Sequence, residues 1–166
     1  MGEVYNMPPQ PPVEANTTYF PAGAVTIGVE YRDVDPASLE ATYADNEAHL
    51  AELAARSPEG GFSDEGVSIH VCGTDDAHEY LRFDVFDDEP HYHYVHRTTD
   101  NTVRNQVIDF DNTAHGDMLT WVIGCLRTRL PEMLRAAGGA QVASGLDANT
   151  IASAIDAVAD EARRAG

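Results

Sequence analysis

The chain contains no lysine: all 10 basic residues are arginine, set against 28 acidic ones for a formal charge of −18. Such a field repels phosphate backbones and anionic headgroups, so nucleic acid and membrane surfaces are excluded as partners. No apolar run approaches the roughly 20 residues that a bilayer-spanning helix needs, and no basic start precedes a secretory-type apolar stretch. A soluble, cytoplasmic protein is expected. Cysteine is nearly absent as well. Cys72 and Cys125 lie far apart inside apolar patterns, as reduced thiols do, and without a CxxC pair neither a disulfide framework nor a thiolate zinc site is expected. The phosphate-loop, dinucleotide-binding, nucleophile-elbow and HExxH motifs are all missing. Arginine without lysine, beside abundant alanine, is the usage of a high-GC bacterial genome, or of a salt-adapted source.

What is present is globular: 43% hydrophobic and 23% charged over 166 residues, the size of one domain. Residues 1–23 are proline-rich and aperiodic and read as an extended N-terminal arm, with Tyr5, Met7, Tyr19 and Phe20 as apolar anchors suited to lying across a neighbouring subunit. Residues 24–166 form the domain. Ala24 to Arg32 alternates in the period of a half-buried strand. Asp35-Pro36 caps a helix that carries Leu39, Tyr43, Leu50 and Leu53 at helical spacing until Ser57-Pro58-Glu59-Gly60-Gly61 stops it. Alternating segments follow at 67–72, 80–86, 91–96 and 102–110, joined by short polar connections that imply antiparallel neighbours. A helix from Asn112 or Thr113 carries Leu119, Val122, Leu126, Leu130 and Leu134 on one stripe, is kinked by Pro131 and ends at Gly138-Gly139. A last helix starts near Asp147. The order β-α-β-β-β-β-α-α predicts an α+β fold: an antiparallel sheet of about five strands with helices packed on one face and the other face uncovered.

The stretch Glu89-Pro90-His91-Tyr92-His93-Tyr94-Val95-His96 places three imidazoles within six positions. Strand alternation puts His91 and His93 on one face and His96 on the other. With Asp87 to Pro90 as a turn, Phe86 pairs with His91 and Asp84 with His93; across the preceding turn, Ser68 lies opposite Asp84 and His70 opposite Arg82. The outward face then gathers Ser68, His70, Cys72, Tyr80, Arg82, Asp84, Phe86, His91 and His93. Asp84, His91 and His93 have the parts of a two-histidine, one-carboxylate site for iron, zinc or manganese, since two neutral imidazoles and one anion leave coordination positions open. His70 is the candidate fourth ligand or base, and Arg82 the candidate anchor for a small anionic substrate. His115, in the first turn of the long helix, is a further candidate base, against the simpler account of a surface residue beside helix caps.

Two functions compete. One is an acidic assembly protein, a homo-oligomer or accessory subunit of a larger enzyme, using the arm and the uncovered sheet face. The other is a small metal-dependent enzyme built on Asp84, His91 and His93. A metal-free pocket that binds or isomerises a small acid through His70 and His93 is a weaker third.

Overall fold

The computed structural model describes residues 2–166, so Met1 of the expected arm lies outside the described residues. One antiparallel sheet runs through the molecule, built from β1 (Glu3–Tyr5), β2 (Thr17–Ala22), β3 (Val25–Val34), β4 (Asp64–Gly73), β5 (Glu79–Phe86), β6 (His91–Arg97) and β7 (Val103–Asp109) in the order β1-β7-β6-β5-β4-β3-β2. The sheet thus has seven strands among the described residues, and the two beyond the expected set come from the N-terminal segment. Glu3 to Tyr5 pairs with β7, Thr17 to Ala22 pairs with β3, and between them residues 6–13 cross back over the sheet. The segment expected to reach a neighbouring subunit is bonded to its own chain: Tyr43 Oη donates to the Pro8 carbonyl at 2.6 Å, and Glu52 accepts from the Asn6 amide at 3.1 Å.

The helices occupy both faces, which corrects the one-sided layer read from the sequence. Five lie on the apolar side: α3 (Asn112–His115), α4 (Met118–Thr128), α5 (Leu130–Ala136), α6 (Ala140–Ser144) and α7 (Ala148–Ala165). There Ile27, Ile69, Val71, Leu81 and Phe83 of the central strands meet Val122, Leu126, Leu130, Leu134 and Ile155, all essentially inaccessible. Burial of such side chains supplies most of the driving force for the fold. The expected single long helix is segmented. Gly116, at φ 76°, breaks α3 from α4 in a conformation that favours glycine, and Arg129 interrupts the chain just before Pro131 opens α5.

The opposite face carries α1 (Pro36–Thr42) and α2 (Glu47–Arg56), one expected helix divided where Asn46 caps a new start by accepting from the His49 amide. α1 begins as its sequence implied, with Asp35 and Ser38 forming a capping box around Pro36. These helices and residues 6–13 roof the sheet. Gln10 Nε2 donates to the Ser38 carbonyl and to Thr42 Oγ1, stitching the crossing segment to α1.

Beneath this roof the sheet is buried yet polar. Glu30, Arg32, Asp64, Ser68, His70, Arg82, Asp84, His93 and Asn105, the buried polar residues, all lie on this face or at its rim. The β4–β5 register matches the expectation, with Ser68 opposite Asp84 and His70 opposite Arg82. The β5–β6 hairpin differs by two residues: Asp84 faces His91 and Arg82 faces His93. A two-residue shift preserves every side chain's face, so the polar set survives while its neighbours change. A bulge between Val71 and Cys72 has the opposite effect, turning Tyr80 toward the helix side and Glu79 onto the polar face.

Candidate metal centre

Asp84 sits at the centre of the polar face, on a central strand and 4% exposed. Its Oδ2 lies 3.2 Å from His91 Nε2 and 3.1 Å from His93 Nε2, and its Oδ1 accepts a short hydrogen bond from Ser68 Oγ. Each imidazole is held from behind. His91 Nδ1 is 2.7 Å from the Glu89 carbonyl oxygen, and His93 Nδ1 is 2.8 Å from Asn105 Oδ1. A carbonyl oxygen only accepts, so the proton belongs on Nδ1, and Nε2 presents its lone pair toward the carboxylate.

Three electron pairs therefore converge, and something positive must lie among them. Ligand bonds of about 2.0–2.2 Å set neighbouring donor atoms about 2.8–3.6 Å apart across octahedral and tetrahedral sets. The spacings at Asp84 fall in that window, and all three donor atoms lie within 4.8 Å of one another. In the absence of an ion, a proton on His91 must serve instead. Burial lowers the His91 pKa, but the Asp84 carboxylate outweighs it and raises the net value; burial wins at His93, whose pKa falls. Burial likewise pushes the Asp84 carboxyl up, yet the protonated His91 imidazole and the nearby Arg82 hold it well below the usual carboxylate range.

The turn that positions His91 is itself anchored. Asp64 accepts from the amides of Asp88 and Glu89 at 3.2 and 2.7 Å, fixing the carbonyl that fixes His91. Gly66 lets β4 run close against β5 there: its φ is 151°, and a Cβ would collide with the Val85 carbonyl.

Beside the triad lies a second buried network. Glu79 takes Arg82 Nε and Nη2 at 2.8 Å each, and His70 Nδ1 at 2.6 Å. Glu30 accepts from Thr17 Oγ1 and the Val13 amide, and lies 3.3 Å from Arg32 Nε. Gln10 closes the set: its backbone oxygen accepts from both Arg32 and Arg82, and its Oε1 from Arg32. Burial and Arg82 depress the His70 pKa, but Glu30 and Glu79 outweigh them and raise it. His70 is fully buried between these glutamates, with Nε2 lacking a hydrogen-bond partner among the described residues.

A cavity of about 400 Å3 separates the polar face from its roof, with Asp84, His91, His93 and Arg82 on its floor. Of the candidates read from the sequence, Asp84, His91 and His93 come together, and Arg82 and His70 neighbour them, His70 behind the cavity rather than in it. His115 does not join them. It closes the short α3 on the helix side, its ring 5.5 Å from Phe110 and 6.4 Å from Trp121. Glu79, Glu30, Gln10 and Asn105 went unselected in the sequence. Only the β7 register, His93 opposite Val107 and Val95 opposite Asn105, brings Asn105 within reach; Glu79 depends on the bulge.

The model of a family described as a domain of unknown function, DUF7700, matches residues 19–162. The chain belongs to that family. The DUF7700 match takes in the triad and both networks' strands, and it begins after residues 6–13, which roof the cavity. No curated protein and no solved structure matches the chain. No helix among the described residues is long and apolar enough to cross a membrane.

Proposed function

We propose that this chain is a small metal-dependent enzyme in which Asp84, His91 and His93 hold one divalent ion, iron(II), zinc or manganese, facing a small anionic substrate in the cavity. One observation carries the reading: the Glu89 carbonyl holds the His91 proton on Nδ1, so that Nε2 points an electron pair at the Asp84 carboxylate. Partners of this kind behind the ligand histidines are a regular feature of metal sites. An ion with three protein ligands keeps positions for water, oxygen or substrate and supplies Lewis acidity there. Arg82 on the cavity floor would orient an anionic group, and the roof of residues 6–13, α1 and α2 would exclude bulk water.

The assembly reading drew on the arm anchors, the lack of a complete catalytic motif and the modest size as well as on an uncovered sheet face; only the last of these is weakened, since Phe86 and Val95 are 6% and 2% exposed within the single chain. The test is elemental analysis of tag-free protein beside the Asp84→Asn variant and the double variant His91→Ala, His93→Ala, with circular dichroism on each to show the fold is kept. About one ion per chain in the parent and none in the folded variants is expected. A parent that takes up no iron, zinc or manganese when each is supplied would end the metalloenzyme reading.

A further inference from the structure

The charge at the centre restricts what can bind there. A divalent ion held by one carboxylate and two neutral imidazoles leaves a net charge of +1, at a place where Asp84 is 4% and His93 6% exposed. An unbalanced charge so deep is costly, and one further negative charge removes it. The neighbouring charges are already balanced, Arg82 by Glu79 and Arg32 by Glu30. A second negative charge on the ligand would meet Glu3, Glu89 and Asp109, which line the cavity toward solvent. Arg56 lines it too, but is spent on Glu3, Glu52 and the Tyr5 ring.

Direction comes from Arg82. Its Nε and Nη2 are taken by Glu79 and Gln10, while Nη1 has no hydrogen-bond partner among the described residues and remains for a ligand oxygen. Met7, Leu39, Tyr43, Leu53, Phe62 and Phe86 give the cavity an apolar stretch of wall, beside the polar Gln10, Ser57 and Asn105. A volume of about 400 Å3 is in the range that encloses a small organic molecule.

We infer that the ligand of this site is a small monocarboxylic acid with an uncharged, apolar body, its carboxylate shared between the ion and Arg82 and its body against that wall. The inference rests on the metal reading above and adds the substrate class. A dicarboxylate or a phosphate ester would bring a charge the centre does not neutralise, and a neutral amide would leave the +1 uncompensated.

The experiment is calorimetric titration of zinc-loaded, tag-free full-length protein with hexanoate, hexanamide, adipate, acetate and inorganic phosphate, with zinc content measured on the same sample. Hexanoate is expected to bind at least about tenfold more tightly than hexanamide, adipate or phosphate, the penalty for an uncompensated or surplus charge. It should also bind more tightly than acetate, by about threefold to fourfold for each methylene buried. Phe62→Ala, which removes part of the apolar wall, should weaken hexanoate by a larger factor than it weakens acetate. Adipate, phosphate or hexanamide binding as tightly as hexanoate overturns the inference, as does a zinc-loaded protein that binds none of them. A sample that takes up none of zinc, iron or manganese when each is supplied overturns the metal reading and the inference with it; where another of these ions loads instead of zinc the series is run with that ion, and full loading with a flat series overturns the inference alone.

Discussion

The Asp64 carboxylate accepts the Glu89 backbone amide at 2.7 Å, and the carbonyl of that same Glu89 meets His91 Nδ1 at 2.7 Å. A residue at the start of β4 thus sets the orientation of an imidazole on β6 without touching it.

Asp64→Ala is expected to lower zinc affinity by about 10- to 100-fold, the usual cost of losing a group that orients a metal ligand, although the three ligands themselves remain. Asn105→Leu, which removes the partner of His93 Nδ1, should do the same. Competition against a chromogenic chelator measures both. Unchanged affinity in a folded Asp64→Ala protein would mean that the turn does not position His91.

Stability should depend on pH differently with and without metal. In the metal-free protein His91 and His70 have raised pKa values, so their contributions are complete below the unfolded histidine value of about 6.5 and are lost as pH rises through the higher folded values. Asp84 is depressed, so its contribution is present above the unfolded carboxylate range and is lost only as pH falls through its lower folded value. Zinc takes the His91 electron pair in place of the proton, so the loaded protein should keep the His91 share of the stability that the metal-free protein sheds as pH rises, while the His70 share is lost in both. Zinc uptake should weaken as pH falls through the raised His91 value. Thermal melts from pH 5 to 9, with zinc or with a chelator, read the difference; parallel curves would show that the ion does not replace that proton.

Glu79→Gln leaves the buried Arg82 guanidinium without its carboxylate and should cost about 3–5 kcal/mol by urea denaturation, the range for breaking one side of a buried ion pair. Gln10→Ala removes the side chain's bonds to the Ser38 carbonyl and Thr42 and the one it accepts from Arg32, which keeps its Glu30 partner, and should cost less, about 1–3 kcal/mol. Equal costs would show that the ion pair is not what holds this part of the sheet together.

Cys72 should react slowly with iodoacetamide. Burial, reinforced by the nearby Glu79 carboxylate, pushes its thiol up to about 12, so little thiolate exists at pH 8. Mass spectrometry against free cysteine under the same conditions measures this, and alkylation at the free-cysteine rate would reopen a nucleophilic role beside His70.

The alternation of Val67 to His70 and of Leu81 to Phe86 was legible because strand period alone assigns a side chain to a face, and the observed two-residue shift of the β5–β6 hairpin changes partners without changing faces. For that reason Asp84, His91 and His93 could be grouped before any coordinates. The same logic failed at Tyr80 and Glu79, where a bulge breaks the period and nothing in the residues between Cys72 and Leu81 marks its position.

The N-terminal segment shows a different limit. Its prolines rule out an α-helix, leaving only a single 3-10 turn at Glu14–Asn16 among the described residues, and that much follows from local chemistry. Whether an extended segment pairs with its own sheet or with another molecule depends on which edges are free and which buried groups need partners, here β7, β3, Arg32 and Arg82.

The sequence by itself determined the α+β pattern, the polar character of one sheet face and the three side chains at its centre, because these depend on periods of two and 3.6 residues within single elements. Only the tertiary structure decided that this face is roofed, that Asn105 and Glu89 hold the imidazoles from behind, and that Glu79 joins Arg82. Each of those depends on how separate elements meet, through strand register, a bulge and a chain crossing, and no local period encodes them.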